Sequence, residues 1–140
     1  MQKKEISQLA ASNTTAVLLP AADLYMRCSY PPARQMIDAG VRVALATDFN
    51  PGSSPTQDVS LVGLLARLEM KMTLPEVFVA YTIGAAAALG CSDIVGSLEV
   101  GKGADFISTT EGWQMFFYQA GWFPRADVFL SGKQVYSSKN

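Results

Sequence analysis

Histidine is absent from this 140-residue sequence. Borderline metals such as zinc and iron prefer imidazole nitrogen, so the chain cannot build a histidine-held metal centre from its own side chains. Cysteine is scarce as well. Cys28 and Cys91 stand far apart with no CxxC or Cys/His spacing, which argues against a disulfide framework or a thiolate zinc site and leaves both expected as small buried hydrophobes. Charge of either sign is thin: 11 Lys and Arg against 12 Asp and Glu, net −1, scattered along the chain. That distribution offers no electrostatic footprint for nucleic acid or for an anionic membrane. No apolar run approaches the ~20 residues that cross a bilayer. The start Met1-Gln2-Lys3-Lys4-Glu5-Ile6 lacks the apolar core and cleavage site of a signal peptide, so the expected compartment is the cytoplasm. No internal repeat, low-complexity tract or phosphate loop is found; Gly101-Lys102-Gly103 lacks the Walker spacing and reads as a turn with a solvated lysine.

What is present is enough apolar content, 49%, for the buried core of one ordinary domain. The sharpest feature is the segment Ala46-Thr47-Asp48-Phe49-Asn50-Pro51-Gly52-Ser53-Ser54-Pro55-Thr56. Val41 to Ala46 reads as a buried strand, and Asp48 stands where that strand would leave the sheet. In a β/α barrel the strand ends of that side carry the catalytic groups. The loop that follows offers the Asn50 amide, the closely approachable Gly52 N–H, the Ser53 and Ser54 hydroxyls and two stiffening prolines. Such a loop suits a substrate carboxylate or amide; the same residues also suit a plain Asp-initiated Asx turn.

The surrounding pattern is α/β. Ile6, Leu9 and Ala10 fall at helical spacing, with Asn13 a plausible left-handed end. Ala16-Val17-Leu18-Leu19 reads as a parallel strand stopped by Pro20, with a loop from Ala21 to Tyr30. Pro31-Pro32 opens a helix striped by Ala33, Met36 and Ile37, which Gly40 can cap before the Val41 strand. Leu61, Leu64, Leu65, Leu68 and Met72 form one face of a helix begun near Thr56 or Asp58, read as core. Thr73 and Glu76 form a capping box for a helix bearing Val77, Phe78 and Tyr81, and helix continues to Gly90. The six methionines are spread through these stripes as packing groups. Glycine turns from Gly96 to Ile107 mark a boundary, and Asp127–Leu130 with Gln134–Tyr136 around Ser131-Gly132 reads as a hairpin. Trp113, Phe116, Phe117, Tyr118, Trp122 and Phe123 form an aromatic cluster for packing or an interface. Asp23, Arg27 and Arg34 lie in or near the loop after the first strand; Arg27 could reach a site there, although a surface arginine is the commoner outcome.

The run from Ala46 to Thr56 resembles the imidazolonepropionases of the amidohydrolase superfamily, and the likeness extends over nearly the whole chain. The resemblance implies an α/β fold: the C-terminal fragment of an amidohydrolase β/α (TIM-like) barrel plus part of the accompanying β-sandwich. Residues 1–93 would hold the last two barrel strands with their helices, and residues 94–140 the β-sandwich segment. It implies hydrolysis of 4-imidazolone-5-propanoate to N-formimino-L-glutamate in histidine degradation, with zinc or iron in the complete enzyme. Asp48 would be a metal ligand and proton acceptor, and Asn50, Gly52 and Ser53 would hold the propionate tail. With no histidine, and six barrel strands outside it, the chain alone is expected to bind no metal, to be inactive, and to self-associate through unpaired strand edges. Two other readings stay open: a related amidohydrolase or deaminase with another substrate, and a non-catalytic fragment or interaction module.

Overall fold

The computed structural model describes residues 1–138. Its organising unit is a pair of short parallel strands, β1 (Thr15–Leu18) and β2 (Arg42–Leu45), in register from Thr15 opposite Arg42 to Leu18 opposite Leu45. Parallel strands need a long crossover. Here it contains α2 (Pro20–Tyr25) and α3 (Ala33–Asp38), and it is preceded by α1 (Lys3–Ala10). Pro20 does not stop the strand into a loop, as its sequence suggests; it opens α2, because a proline lacks only an N–H that the first helical turn leaves unpaired anyway. Asp23 therefore lies on α2, and Arg34 on α3. Gly40 ends α3 with φ +85, as expected. Asn13 is not a left-handed end for α1: that helix closes on Ala11 with φ −83, and Ser12 gives both its N–H and its hydroxyl to Leu9 O.

Three further helices cover the strands. They are α4 (Val59–Leu68), α5 (Leu74–Tyr81) and α6 (Ile83–Ala88). The leucine stripe expected to bury α4 is only half-buried, and Leu68 is 67% exposed. The buried face carries Ser60, Val62, Gly63 and Ala66 instead. Small residues win because the Phe117 ring presses on the helix: a Cβ on Gly63 would stand 2.3 Å from it. An equally close approach holds α6 to β2, where a Cβ on Gly84 would meet the Val43 carbonyl at 2.2 Å. The core thus runs from Ile6 through Leu18, Met36, Val43, Val62 and Val77. Met36, Met70 and Met72 pack in it, whereas Met1, Met26 and Met115 are exposed.

The expected capping box starts α5, with Thr73 N–H donating to Glu76 at 2.7 Å. Arg34 grips the same carboxylate with two nitrogens, at 2.8 and 2.9 Å, and also reaches Asp38. This fork ties α3 to α5.

The remaining strands, β3 (Phe106–Thr109), β4 (Ala126–Leu130) and β5 (Lys133–Tyr136), form an antiparallel sheet in that order. The hairpin turns on Ser131 and Gly132, both at positive φ. Phe106 and Phe129 stack across the sheet at 4.5 Å. The aromatic cluster is split. Phe116 and Phe117 are buried against Phe78, and Phe117 also stacks on Tyr81 at 5.3 Å. Arg67 donates to Phe117 O at 2.7 Å. Trp113 and Tyr118 stay largely exposed. Cys28 is exposed and Cys91 half-buried, not the buried hydrophobes anticipated. Lys102 is not free in solvent either, since its ammonium bonds Ser97 at 2.7 Å and pairs with Glu99. Among the described residues no helix is long and apolar enough to cross a membrane.

The Arg34 hydrogen bonds hold the Glu76 carboxyl down to about 2, against burial and with help from Thr73. A carboxyl whose folded value lies below its unfolded one contributes stability that is present above the unfolded value, about 4.5, and is lost as the pH falls toward about 2. Thermal melts followed by circular dichroism should therefore show a fall in Tm across that window. Glu76→Gln should lower Tm at neutral pH and flatten the dependence.

Candidate functional site

β2 ends at Leu45, but Ala46 still donates to Leu18 O at 3.2 Å, so the ladder runs one step further. The chain then leaves the sheet through Thr47 and exposes Asp48, with φ +53. A non-glycine residue there is uncommon and needs support from its surroundings. Asn50 supplies much of it. Its amide nitrogen donates to Asp48 O at 2.6 Å and to Ser53 Oγ at 2.9 Å, and lies 3.3 Å from Asp48 Oδ2. Its amide oxygen accepts from the N–H of Gly52 at 2.9 Å and of Ser53 at 2.8 Å. Ser53 Oγ stands 3.4 Å from Asp48 Oδ2.

All four residues singled out from sequence, Asp48, Asn50, Gly52 and Ser53, are thus joined in one hydrogen-bonded cluster at the C-terminal end of a parallel strand. The cluster is also an Asx turn, and its donors are used internally: the Gly52 and Ser53 N–H groups converge on the Asn50 side chain. Ser54 carries a role that sequence reasoning did not single out. It is fully buried, its hydroxyl donates to Thr47 O at 2.6 Å, and its backbone pairs with Asn50. Nothing in the spacing separates it from Ser53; burial does. Arg27 sits just past α2, exposed with φ +54.

The loop is closed by the start of α4. Asp58 caps that helix, accepting from the Ser60 and Leu61 N–H groups at 2.8 and 3.1 Å and from the Ser60 hydroxyl. Burial opposes its charge, but these bonds together hold its carboxyl below the usual range. Tyr81 donates to Val59 O at 2.8 Å beside it; burial, and then the Asp58 charge, push its phenol up.

A zinc centre takes three or four protein ligands. Among the described residues no three His, Cys, Asp or Glu side chains converge, and Asp48 brings one carboxylate. The donor set of this chain does not by itself fit a metal.

The sequence profile of the amidohydrolase family matches residues 1–135. This chain belongs to the amidohydrolase family. An imidazolonepropionase of Bdellovibrio bacteriovorus is 61% identical over 138 residues, covering 99% of this chain and 33% of that protein. One from Fusobacterium nucleatum is 42% identical over 132 residues, covering 94% and 32%. The chain spans about a quarter to a third of the length of the curated relatives it matches, on their C-terminal portion. Among solved structures, a zinc-bound adenosine deaminase from Xanthomonas campestris superposes with a TM-score of 0.87 at 25% identity, over 99% of this chain and 36% of that one. An atrazine chlorohydrolase from Arthrobacter aurescens, also crystallised with zinc, gives 0.83 at 23%, over 99% and 35%. The parallel unit and its helices are accordingly part of an amidohydrolase β/α barrel.

Replacing Asp58 with alanine removes the cap that ends the loop. It should cost about 1 kcal/mol of stability, measured by urea denaturation.

Proposed function

We propose that this chain is the C-terminal part of a metal-dependent cyclic amidohydrolase that opens 4-imidazolone-5-propanoate to N-formimino-L-glutamate. The observation that carries the reading is the joining of Asp48, Asn50 and Ser53 at the end of β2, with the Gly52 and Ser53 N–H groups converging on the Asn50 amide oxygen. The imidazolonepropionase relatives support the substrate. A division into a barrel part, residues 1–93, and a β-sandwich segment, residues 94–140, and a cytoplasmic location belong to the same reading. The metal, zinc or iron, would take its remaining ligands from outside this chain.

The residues here do two things in that reaction. Asp48 accepts a proton from the water whose oxygen attacks the ring carbonyl carbon. The ring C–N bond then breaks, the departing nitrogen takes up the proton from Asp48, and the new carboxylic acid ionises by giving its remaining proton to solvent. The loop holds the substrate's tail: its carboxylate accepts from the Gly52 and Ser53 N–H groups, displacing the Asn50 amide oxygen from the position it fills. Asn50 and the Ser53 hydroxyl then donate to the same carboxylate.

A hybrid enzyme with this chain in place of the matching stretch of the B. bacteriovorus relative tests the proposal. It should consume imidazolone propionate, followed by loss of its absorbance. Asp48→Asn should lower kcat by about 10²–10⁴-fold. Ser53→Ala should lower kcat/KM by roughly ten- to a hundredfold, as losing a hydrogen bond to a charged group does, for the natural substrate but not for an analogue lacking the tail carboxylate. Asn50→Ala, which also removes a support of the Asp48 backbone, should add a loss in kcat on both. Equal Ser53→Ala losses on both substrates would favour a second reading, a deaminase-like or other amidohydrolase, which the fit to the adenosine deaminase fold supports.

The isolated chain should also self-associate. Among the described residues both outer edges of its two-stranded parallel sheet have no strand partner, and Val17, Leu68 and Leu89 are exposed at 46, 67 and 79%. Light scattering should report oligomers; a monodisperse monomer with a sharp melt would count against the idea.

A further inference from the structure

We propose that Ser54 is a positioning residue of the candidate site, a clamp that fixes the chain on both sides of Asp48 and so sets where its carboxylate lies. Ser54 is 0% exposed, although Asp48, Phe49, Pro51, Gly52 and Pro55 around it are all exposed. On one side its hydroxyl donates to Thr47 O at 2.6 Å, the residue before Asp48. On the other it exchanges two backbone bonds with Asn50: Asn50 N–H donates to Ser54 O at 3.0 Å, and Ser54 N–H to Asn50 O at 3.3 Å. Asp48 and Phe49 are the span between these anchors.

The span is under constraint. Asp48 sits at φ +53, a conformation that persists in a non-glycine residue when neighbouring contacts over-determine it. Two of the anchoring points meet on one serine, and that serine is out of reach of solvent, so water does not take over a bond that is lost. All three bonds go to backbone. Ser54 therefore acts on the carboxylate through the chain. Ser53, by contrast, places its own hydroxyl beside Asp48. Without the Ser54 hydroxyl the Thr47 carbonyl has to turn toward another donor, and the turn carries Asp48 with it. The catalytic consequence rests on the reading of Asp48 as proton acceptor; the clamp itself does not.

Two measurements test the clamp. In the hybrid enzyme, amide hydrogen exchange should speed up at least about tenfold at Asn50 and Ser54 on Ser54→Ala, while Ala46, bonded across the sheet to Leu18, changes less than about twofold, as local opening requires. Unchanged protection at Asn50 would overturn the proposal. In the hybrid enzyme, Ser54→Ala should lower kcat about ten- to a hundredfold with KM moved by less than about threefold, the signature of a displaced reacting group. Ser54→Thr, which keeps the hydroxyl, should recover most of the rate. Ser54→Cys, close in size but a weak donor, replaces the alanine variant should that one not fold, with the same expected losses. A folded Ala or Cys variant with parental kcat, or a loss seen in KM alone, would sink the positioning role. An unsubstituted hybrid with no turnover would defeat the functional reading of Asp48, and the exchange measurement would still decide the clamp.

Discussion

The pairing of β1 with β2 is the constraint on which the rest of this chain depends. A parallel ladder two strands wide cannot bury its own faces or satisfy its own edges, so its register has to be held by what packs on it. Leu18, Val43 and Leu45 turn one face into the core, and α3, α5 and α6 lie against β2. The tight approach of Gly84 to the Val43 carbonyl belongs to that packing. Once Leu18 is opposite Leu45 and Ala46 is bonded to Leu18, the point at which the chain leaves the sheet is set, and Asp48 emerges there.

Two contacts carry this order outward. The Arg34 fork on Glu76 joins the crossover helix α3 to α5. Because the same carboxylate caps α5, the helix start and the interhelical tie stand or fall together. The second contact is Phe117, held at positive φ with its carbonyl bonded by Arg67 and its ring over Gly63 and beside Tyr81. It brings the connection between β3 and β4 of the antiparallel sheet against α4 and α5. Tyr81 bonds Val59 at the start of α4, so the aromatic packing reaches back to the end of the candidate site loop.

The loop shows how a local turn and a site can share the same atoms. The Asn50 amide is bonded within the loop on both its nitrogen and its oxygen. These bonds hold the turn and the Asp48 backbone in place, and tail binding as proposed exchanges those on the Gly52 and Ser53 N–H groups for bonds to the substrate. The Gly52 and Ser53 N–H groups converge on the neutral Asn50 amide oxygen, so in the proposed reading a charged carboxylate oxygen takes over a position that this amide fills. The strained Asp48 backbone is the counterpart of that order, held in place by neighbours that themselves need the sheet.

Much of this was legible in the residues because it is local. The β1 and β2 strands, the proline-opened α3 with Gly40 at its end, the Thr73–Glu76 box, the hairpin on Ser131-Gly132 and the Asp48 to Ser53 cluster each follow from short-range patterns of apolarity and turn chemistry. What sequence misjudged involves partners distant in the chain or competition among near neighbours. The Leu61, Leu64, Leu65 and Leu68 stripe has the spacing of a core face, yet Phe117, some fifty positions away, claims the small-residue face of α4. Cys28 has the composition of a buried residue and is exposed. Pro20 could equally end a strand or open a helix. Ser53 and Ser54 are identical neighbours, and only burial and the Thr47 carbonyl tell them apart. The sequence by itself determined the periodicity, the turns and the chemical groups of the site. Tertiary structure alone decided which faces are buried and which hydroxyl holds the loop, because burial depends on what other parts of the chain bring to the same place.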